Sequence, residues 1–198
     1  MKKILIITLI CILYLPLAAQ EREEETLISG DIESGWAVGS YIGLSSFNEQ
    51  STIINGFRAE WIFNGSWIIG WQNYNTVGNN LDAPISTADN NIYMDIEYRG
   101  MIVGKMFNPE KLIHWGVEGL IGWGDIDYHQ DNSDKEWRED YFYAAQASAF
   151  MEINVVSWFR IMAIAGYRIV QSVDRQGLAN SDISGLSGGI TFRFGNFR

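Results

Sequence analysis

Two histidines and a cluster of acidic residues are the side chains of this sequence whose types are best suited to chemistry. His129 lies near Asp125, Asp127 and Asp131, and a histidine held by a carboxylate is the base that activates a nucleophile in many hydrolases. His114 is followed four positions later by Glu118. In an extended chain these two side chains are about 13 Å apart, which is too far for a direct pair. We therefore expect His114 to be a hydrogen-bonded interior residue without a catalytic role.

The acidic stretch that contains His129 has the carboxylate density of a divalent-cation site. Its carboxylates are Asp125, Asp127, Asp131 and Asp134. Counted from Asp125, Glu136 falls where an EF-hand loop has its closing glutamate, but the sixth position is not glycine. A solvated acidic loop is the simpler interpretation. The sequence thus predicts no catalytic residues, no cofactor and no specific metal site.

The N-terminus has the layout of a secretory signal peptide. Lys2 and Lys3 precede an apolar run that ends at Leu15, and small residues follow up to Ala19. This run is shorter than the roughly 20 residues that a membrane-spanning helix needs. We expect cleavage after Ala19. The chain then has three parts: a signal peptide (1–19), a flexible acidic N-terminal segment (20–34) and a folded domain (35–198).

Composition excludes several other classes of protein. The chain has 198 residues, enough for one domain with a sizeable core. Its only cysteine, Cys11, lies inside the predicted signal peptide, so the mature chain has neither disulfides nor thiolate metal ligands. The net charge is −10 before the two leader lysines are removed, and this negative charge argues against a nucleic-acid partner. No later apolar run is long enough to predict a transmembrane helix.

Almost every extended stretch between Trp36 and Phe194 alternates with a period of two residues, which is the pattern of β-strands. Along each stretch, every second residue is bulky, apolar and uncharged, and we call this set the bulky parity. The residues between them include glycine, serine, glutamine and a set of charges, and we call this set the charged parity. We predict eight strands: Gly35–Phe47, Thr52–Phe63, Trp67–Asn75, Ile92–Met106, Leu112–Gly124, Tyr141–Val155, Trp158–Val170 and Gly185–Phe197.

The predicted connections alternate between tight and long. The tight ones lie at 64–66, 108–111 and 154–157, and the long ones at 76–91, 125–140 and 171–184; the first, at 48–51, is a short exception. Short turns at one end, together with both termini, and long loops at the other are typical of outer-membrane barrels. The sequence therefore predicts an all-β fold, an eight-stranded antiparallel up-and-down transmembrane β-barrel.

The bulky parity is predicted to face lipid, because the interior of an eight-stranded barrel is barely wide enough for side chains of ordinary size. Trp61 and Trp115 belong to this outward set. In the fourth strand, the residues predicted to face outward are Ile92, Met94, Ile96, Tyr98 and Ile102. Tryptophans near both strand ends match the two aromatic girdles of membrane barrels.

The charged parity is predicted to face inward. Its charges are Arg58, Glu60, Asp95, Glu97, Arg99, Glu118, Glu152, Arg160, Arg168 and Arg193. Lysine is absent from this set except for Lys105 near a turn, and arginines with carboxylates favour bidentate pairing in a closed space. Some inward positions stay apolar, which predicts a packed interior and no open pore: Ile54, Ile68, Leu120, Phe150 and Ile164.

A family resemblance supports this interpretation. The segments Trp158-Phe159-Arg160, Gly166-Tyr167-Arg168, Asp182-Ile183-Ser184-Gly185 and Thr191-Phe192-Arg193-Phe194-Gly195-Asn196-Phe197 resemble a family of uncharacterised bacterial outer-membrane β-barrels of about this length. In architecture the chain is similar to the OmpA membrane domain and OmpX. The resemblance implies fold and location, and it implies no activity. The final strand, which alternates and closes on an aromatic residue, resembles the signal that outer-membrane assembly machinery reads.

We therefore expect an outer-membrane protein with a plugged polar lumen, a structural or surface-interaction role and no catalysis. Its expected partners are outer-membrane lipids, lipopolysaccharide and, during biogenesis, the assembly machinery. Two alternatives remain open. One is a lipid A-modifying or proteolytic barrel enzyme, which a serine or aspartate within reach of His129 would favour. The other is a soluble periplasmic lipocalin-like ligand binder, which an apolar cavity with a polar outer wall would favour.

Overall fold

The computed structural model describes residues 33–78, 81–87, 91–130 and 140–197. Each strand pairs antiparallel with the next, and β1 pairs with β8, so the sheet closes into a barrel. The predicted fold class is confirmed. Within the described residues, no helix is long and apolar enough to cross a membrane. The elements are β1 (Ser34–Phe47), β2 (Gln50–Phe63), β3 (Trp67–Thr76), β4 (Ile92–Phe107), β5 (Ile113–Gln130), β6 (Asp140–Val156), β7 (Phe159–Gln171), α1 (Asn180–Ile183) and β8 (Gly185–Asn196).

The predicted signal peptide and most of the 20–34 segment lie outside the described residues and stay predictions. The first strand begins at Ser34, one residue before the predicted boundary.

The two ends of the barrel differ in their connections. At the end we call the turn end, β2 and β3 are joined through Asn64 and Gly65, whose φ angles are 47° and 63°. Asparagine and glycine adopt this left-handed region most readily, and it matches the twist of a tight hairpin. The other two tight turns, the start of β1 and the end of β8 also lie at the turn end. The opposite end, the loop end, carries the tight turn at Asn48 and Glu49 and the strand ends that the three longer connections join.

Burial alternates along the strands as the two-residue pattern predicts. Trp61 and Trp115 face outward and are 62% and 53% exposed, whereas the side chains of Arg58 and Arg193 are fully buried in the barrel. The apolar positions predicted to face inward are also buried: Ile54, Ile68, Leu120, Phe150 and Ile164.

Strand β4 is the exception, because its two faces are the reverse of the prediction. The residues predicted to face outward are at most 2% exposed: Ile92, Met94, Ile96, Tyr98 and Ile102. The charges predicted to lie inside the barrel face outward instead: Asp95, Glu97 and Arg99. The prediction for these eight residues was wrong.

The register with β3 explains the reversal. Residues that face each other across two antiparallel strands lie on the same side of the sheet. Trp71 faces Met101 and Trp67 faces Lys105, so Met101 and Lys105 point outward and Ile102 must point inward. Further along β4, at the loop end, the apolar residues pack inside and the charges lie outside, which is the arrangement of a water-soluble barrel.

Strand β5 extends to Gln130, six residues beyond its predicted end at Gly124. Asp125, Asp127 and His129 therefore lie in a strand, and their predicted placement in a loop was wrong. The extension forms because Ile92–Glu97 of β4 pairs with it residue by residue. Its inward residues, Ile126 and Tyr128, continue the buried alternation.

Two connections, the one between β3 and β4 and the one between β7 and β8, pack against the loop end through their described residues. In the first, Leu81 accepts a hydrogen bond from the Met94 amide at 2.8 Å, and the Ala83 amide donates to the Ile92 carbonyl at 2.9 Å. In the second, Ile183 of α1 is fully buried. These contacts extend the apolar core of the barrel to the loop end, and we call this part of it the loop-end core.

Tyr128 ties the second connection to β5. Its hydroxyl donates to the Gln176 carbonyl at 3.1 Å, and the Arg175 guanidinium lies over its ring at 4.1 Å. Burial raises the pKa of Tyr128 to about 12, although Arg175 acts in the opposite direction. Both contacts hold the connection between β7 and β8 against β5.

The orientation of β4 can be tested by substituting neighbouring residues of opposite parity. Ile96→Asp places an unpaired carboxylate in the apolar loop-end core, and we expect it to lower the free energy of unfolding in urea by about 3 kcal/mol or more. Asp95→Asn, one residue away on the outer face, should change it by no more than about 0.5 kcal/mol. Similar losses for the two variants would contradict the orientation.

Candidate functional site

The most concentrated chemistry in the described structure is an ionic network inside the turn-end half of the barrel. Arg58 of β2 is its first cation. The Arg58 guanidinium donates to both carboxylate oxygens of Glu118, at 3.3 and 2.8 Å, and to Glu60 at 2.8 Å. This bidentate geometry gives the strongest form of an arginine–carboxylate contact.

Arg193 of β8 continues the network to the other side of the barrel. It donates to Glu60 at 2.5 Å and to the second oxygen of Glu152. Arg160 of β7 donates to the first oxygen of Glu152 at 3.0 Å. Glu60 and Glu152 therefore each bridge two guanidinium groups. The predicted inward position holds for these residues, and for Glu118 and Arg58.

His114 joins the network through Glu152, and Glu118 is not its partner. Its Nε2 is 3.0 Å from Glu152, and its Nδ1 is 3.2 Å from the Lys111 carbonyl oxygen. Both partners are acceptors, so both contacts are hydrogen bonds only when each ring nitrogen carries a proton. The sequence did not reveal this pair because it depends on the register of β5 against β6, in which His114 faces Glu152.

The network is closed at the turn end by Phe197. The Arg160 guanidinium lies 4.0 Å from the centre of its ring and that of Arg193 lies 5.3 Å from it, at cation–π distances. Phe197, one residue beyond the end of β8, is only 5% exposed, whereas Phe192 and Phe194 of β8 face outward. The three carboxylates of the network, Glu60, Glu118 and Glu152, are at most 7% exposed.

A tyrosine cluster fills the middle of the barrel. The rings of Tyr74 and Tyr98 stack at 4.6 Å, and Tyr41 meets Tyr74 edge-on at 5.0 Å. The Tyr98 hydroxyl donates to Gln146 at 3.2 Å. Aromatic pairs at these distances stabilise a core beyond the area they bury. Along the strands, the cluster lies between the ionic network and the loop-end core.

Arg168 connects this cluster to the loop end. Its guanidinium donates to the Ile183 carbonyl at 2.9 and 2.7 Å, to the Ser46 carbonyl at 3.1 Å and to the Ser45 hydroxyl at 2.9 Å. The ring of Phe47 lies 4.1 Å from it. None of these partners is a carboxylate, which differs from the predicted arginine–acid pairing. Arg168 instead attaches α1 to the end of β1.

His129 lies against Asp95 of β4 on the outer wall, a carboxylate far from it in the sequence. The Nδ1 atom of His129 is 3.1 Å from Asp95 Oδ2, and its ring lies 5.7 Å from that of Tyr93. Both side chains are partly exposed. The pairing arises because Tyr93 faces His129 in the register of β4 and β5.

Beside this pair, an acidic hollow of about 300 Å³ is lined by Asp95, Glu97, Asp125 and Asp127. Arg99 donates to Asp125 at 3.2 Å. Within the described residues, no group of three or more histidine, cysteine, aspartate or glutamate side chains has the arrangement of a metal site. Asp131, Asp134 and Glu136 of the predicted cation loop lie outside the described residues.

These features define a class: a closed eight-stranded barrel with an apolar exterior and a charged interior. The chain is similar to the solved structure of Neisserial surface protein A, with a TM-score of 0.55 and 9% identity over 85% of this chain and all of that one. At this identity the likeness shows a shared fold and no more.

Two further solved structures have lower TM-scores. Ail of Yersinia pestis, in complex with the heparin analogue sucrose octasulfate, has a TM-score of 0.49 and 16% identity, covering 83% of this chain and all of Ail. The outer membrane protein OprG of Pseudomonas aeruginosa has a TM-score of 0.48 and 7% identity, covering 83% of this chain and 98% of OprG. No protein-family model and no curated protein matches the chain.

Glu152 is the residue on which the network depends most, because it contacts Arg193, Arg160 and His114 together. Glu152→Gln keeps the side-chain shape and removes its charge. We expect the free energy of unfolding in urea to fall by about 3 to 5 kcal/mol, because buried cations then lose their counter-ion. Glu97→Gln on the outer wall is the matched control and should cost no more than about 0.5 kcal/mol. Equal effects would show that the interior contacts contribute little.

Proposed function

We propose that this protein is an integral outer-membrane β-barrel, closed to diffusion, with a structural or surface-interaction role. One observation carries the proposal: large apolar side chains cover the outer wall, while charges are buried within. Ile121 is 76% exposed and Tyr143 is 69% exposed, whereas Arg58, Arg193 and Glu152 are fully buried. A water-soluble protein has the opposite distribution, so lipid is the solvent that suits this wall.

The height of the apolar band fits a bilayer. On β5, Trp115 and Trp123 are eight residues apart, or about 26 Å along the strand. A strand tilt of about 40° reduces this to about 20 Å, close to the roughly 25 Å band of outer-membrane barrels. Trp115 stacks on Phe107 at 4.3 Å near the turn end, and Trp123 meets Trp71 at 5.4 Å near the other rim. These pairs form the two interfacial girdles.

The connections suggest an orientation. Tight turns and both barrel termini face the periplasm in this class of protein, so the turn end is periplasmic and the loop end faces outward. A cleaved signal peptide at residues 1–19 would deliver the chain across the inner membrane. The outward Ile190, Phe192 and Phe194 of β8 supply the alternating apolar pattern expected to be read by the assembly machinery.

The packed interior supports a closed barrel. Phe197 covers the ionic network at the turn end, the tyrosine cluster fills the centre, and the two folded connections cover the loop end. An eight-stranded barrel has room for side chains but little else. A channel for solutes is therefore not part of the proposed function.

The surface role belongs to the loop end, where β4 and β5 extend beyond the apolar band. Their outward side chains form the acidic hollow at Asp95, Glu97, Asp125 and Asp127. At the height of lipopolysaccharide head groups, such a wall would meet the cations that bridge their phosphates. This contact with lipopolysaccharide is part of the proposal.

Of the two alternatives, the soluble lipocalin-like binder has the weaker support, because its apolar cavity and polar outer wall are the reverse of what this barrel has. The enzyme has one specific observation in its favour. Asp95 lies within hydrogen-bond distance of His129, which is the pairing that a catalytic base requires.

The membrane assignment can be tested by fractionation. Expressed with its leader in a Gram-negative bacterium, the protein should appear in the outer-membrane fraction and run faster on a gel before boiling than after it. Purified protein in a planar bilayer should show no steady conductance. Recovery of the mature protein only from the soluble periplasmic fraction would contradict the membrane assignment. Steady conductance by the folded form would contradict the closed interior alone.

The catalytic alternative can be tested with a fluorophosphonate, which labels serines that a histidine activates. Under the proposed function, native wild-type protein and His129→Ala should both remain unlabelled in lipid. A heat-denatured sample controls for non-specific reaction. Labelling of the native protein that His129→Ala abolishes would support the enzyme and contradict a purely structural or surface role.

A further inference from the structure

The membrane-facing wall contains a groove of about 600 Å³ between β3 and β6, a volume typical of small-molecule pockets. We call it the Lys105 groove. Trp67, Lys105 and Phe107 line it near the turn end, and Val117, Gly119 and Ala147 line it towards the middle of the apolar band. The groove therefore runs from the expected inner interface into the region of the acyl chains.

Gly119 keeps the groove open, and no steric reason within the protein requires a glycine there. A Cβ added at Gly119 would meet nothing closer than the Gln146 carbonyl oxygen at 3.9 Å. By contrast, a Cβ on Gly116 or Gly122 of the same strand would collide with the backbone oxygen of Lys105 or Arg99. Glycine weakens a strand interior and often lies where a ligand approaches the backbone closely. Ala147, its partner on β6, extends the same recess.

Lys105 gives the groove a charged end. Its Nζ atom lies 4.3 Å from the centre of the Trp67 ring, which is a cation–π contact at the level of the aromatic girdle. Glu118 also borders the groove, but Arg58 holds its carboxylate inside the barrel. Two other grooves on the outer wall, one around Trp36 and Trp61 and one around Leu44 and Leu186, are not lined by any basic residue.

We propose that the Lys105 groove binds one glycerophospholipid of the leaflet at the turn end. The lipid phosphate lies against Lys105 and Trp67, and one acyl chain runs past Val117 over Gly119 and Ala147. A cation at the interface complements the phosphate, and the recessed wall accepts the chain. The inference rests on the proposed membrane location.

A second copy of this chain fits the groove less well than a lipid does. Two-fold dimers bring the same patch of each subunit together. Such an interface would place two Lys105 ammonium groups near each other in apolar surroundings, where their repulsion is weakly screened. A phosphate removes that conflict, because it brings the opposite charge.

Native mass spectrometry of the folded protein in detergent, titrated with phosphatidylglycerol, tests the proposal. We expect one retained lipid per chain in the wild type. Lys105→Gln should weaken its binding about fivefold, the effect of one basic residue at a membrane surface. Ala147→Leu should reduce retention to the non-specific level, because the leucine fills the recess.

Matched controls separate the groove from general effects of substitution. Lys111→Gln removes an exposed lysine of the adjacent turn, and Ala163→Leu enlarges an outward alanine of β7 away from the groove. Both controls should retain lipid like the wild type. Equal binding by Ala147→Leu and Ala163→Leu, or by the two lysine variants, would overturn the proposal. So would a wild-type dimer that Ala147→Leu dissociates, because the occupant would then be a second copy.

The heat-modifiable gel band keeps the two proposals distinguishable. Before its lipid binding is compared, every variant must run faster on the gel unboiled than boiled, as a folded barrel does. This check excludes misfolding as the cause of reduced lipid retention. A wild type that inserts into bilayers but retains no lipid would overturn the groove assignment alone. A wild type that does not insert would overturn the membrane location, and the groove assignment with it.

Discussion

Pairing of buried charges is the constraint on which the barrel interior depends. Glu60 and Glu152 each bridge two guanidinium groups, and through them β2, β6, β7 and β8 are connected across the interior. In a space too narrow for bulk water, a lone charge costs several kcal/mol, but a balanced set is tolerated. Most of the remaining interior is filled by apolar and aromatic side chains. The strands can therefore close tightly, and lipid can cover the outside.

The outer wall of β4 is apolar near the turn end and charged near the loop end. Sequence alternation alone therefore gave the wrong orientation for β4. Alternation separates two faces of a strand but does not say which one points inward. Ile92, Met94 and Ile96 dominate the composition of β4, yet they lie above the apolar band and pack inside. Met101, nearer the turn end, faces outward opposite Trp71. Two glycines on the inward parity, Gly100 and Gly104, were the available signal for the correct orientation.

The sequence predicted the number of strands, most of their bounds and the inward position of Arg58, Glu60, Glu118, Glu152, Arg160, Arg168 and Arg193. It did not predict partners, because these depend on register between strands. His114 meets Glu152 across β5 and β6, and His129 meets Asp95 across β4 and β5. A one-residue shift would replace each pair with neighbours of opposite parity. Distance along one strand, on which the His114–Glu118 comparison relied, cannot reveal such contacts.

Under the proposed function, a filled interior leaves two surfaces on which this protein would act. One is the loop end, where the acidic wall of β4 and β5 stands clear of the apolar band. The other is the lipid-facing wall, which is mostly bulky and offers little for specific recognition. Lipid solvates bulky apolar side chains without any recess in the wall. The recess at Gly119 and Lys105, where no contact within the protein requires a glycine, therefore points to a specific ligand. A groove with a cation at its end supplies what an ordinary lipid-facing wall lacks, which is a place for one head group and one chain.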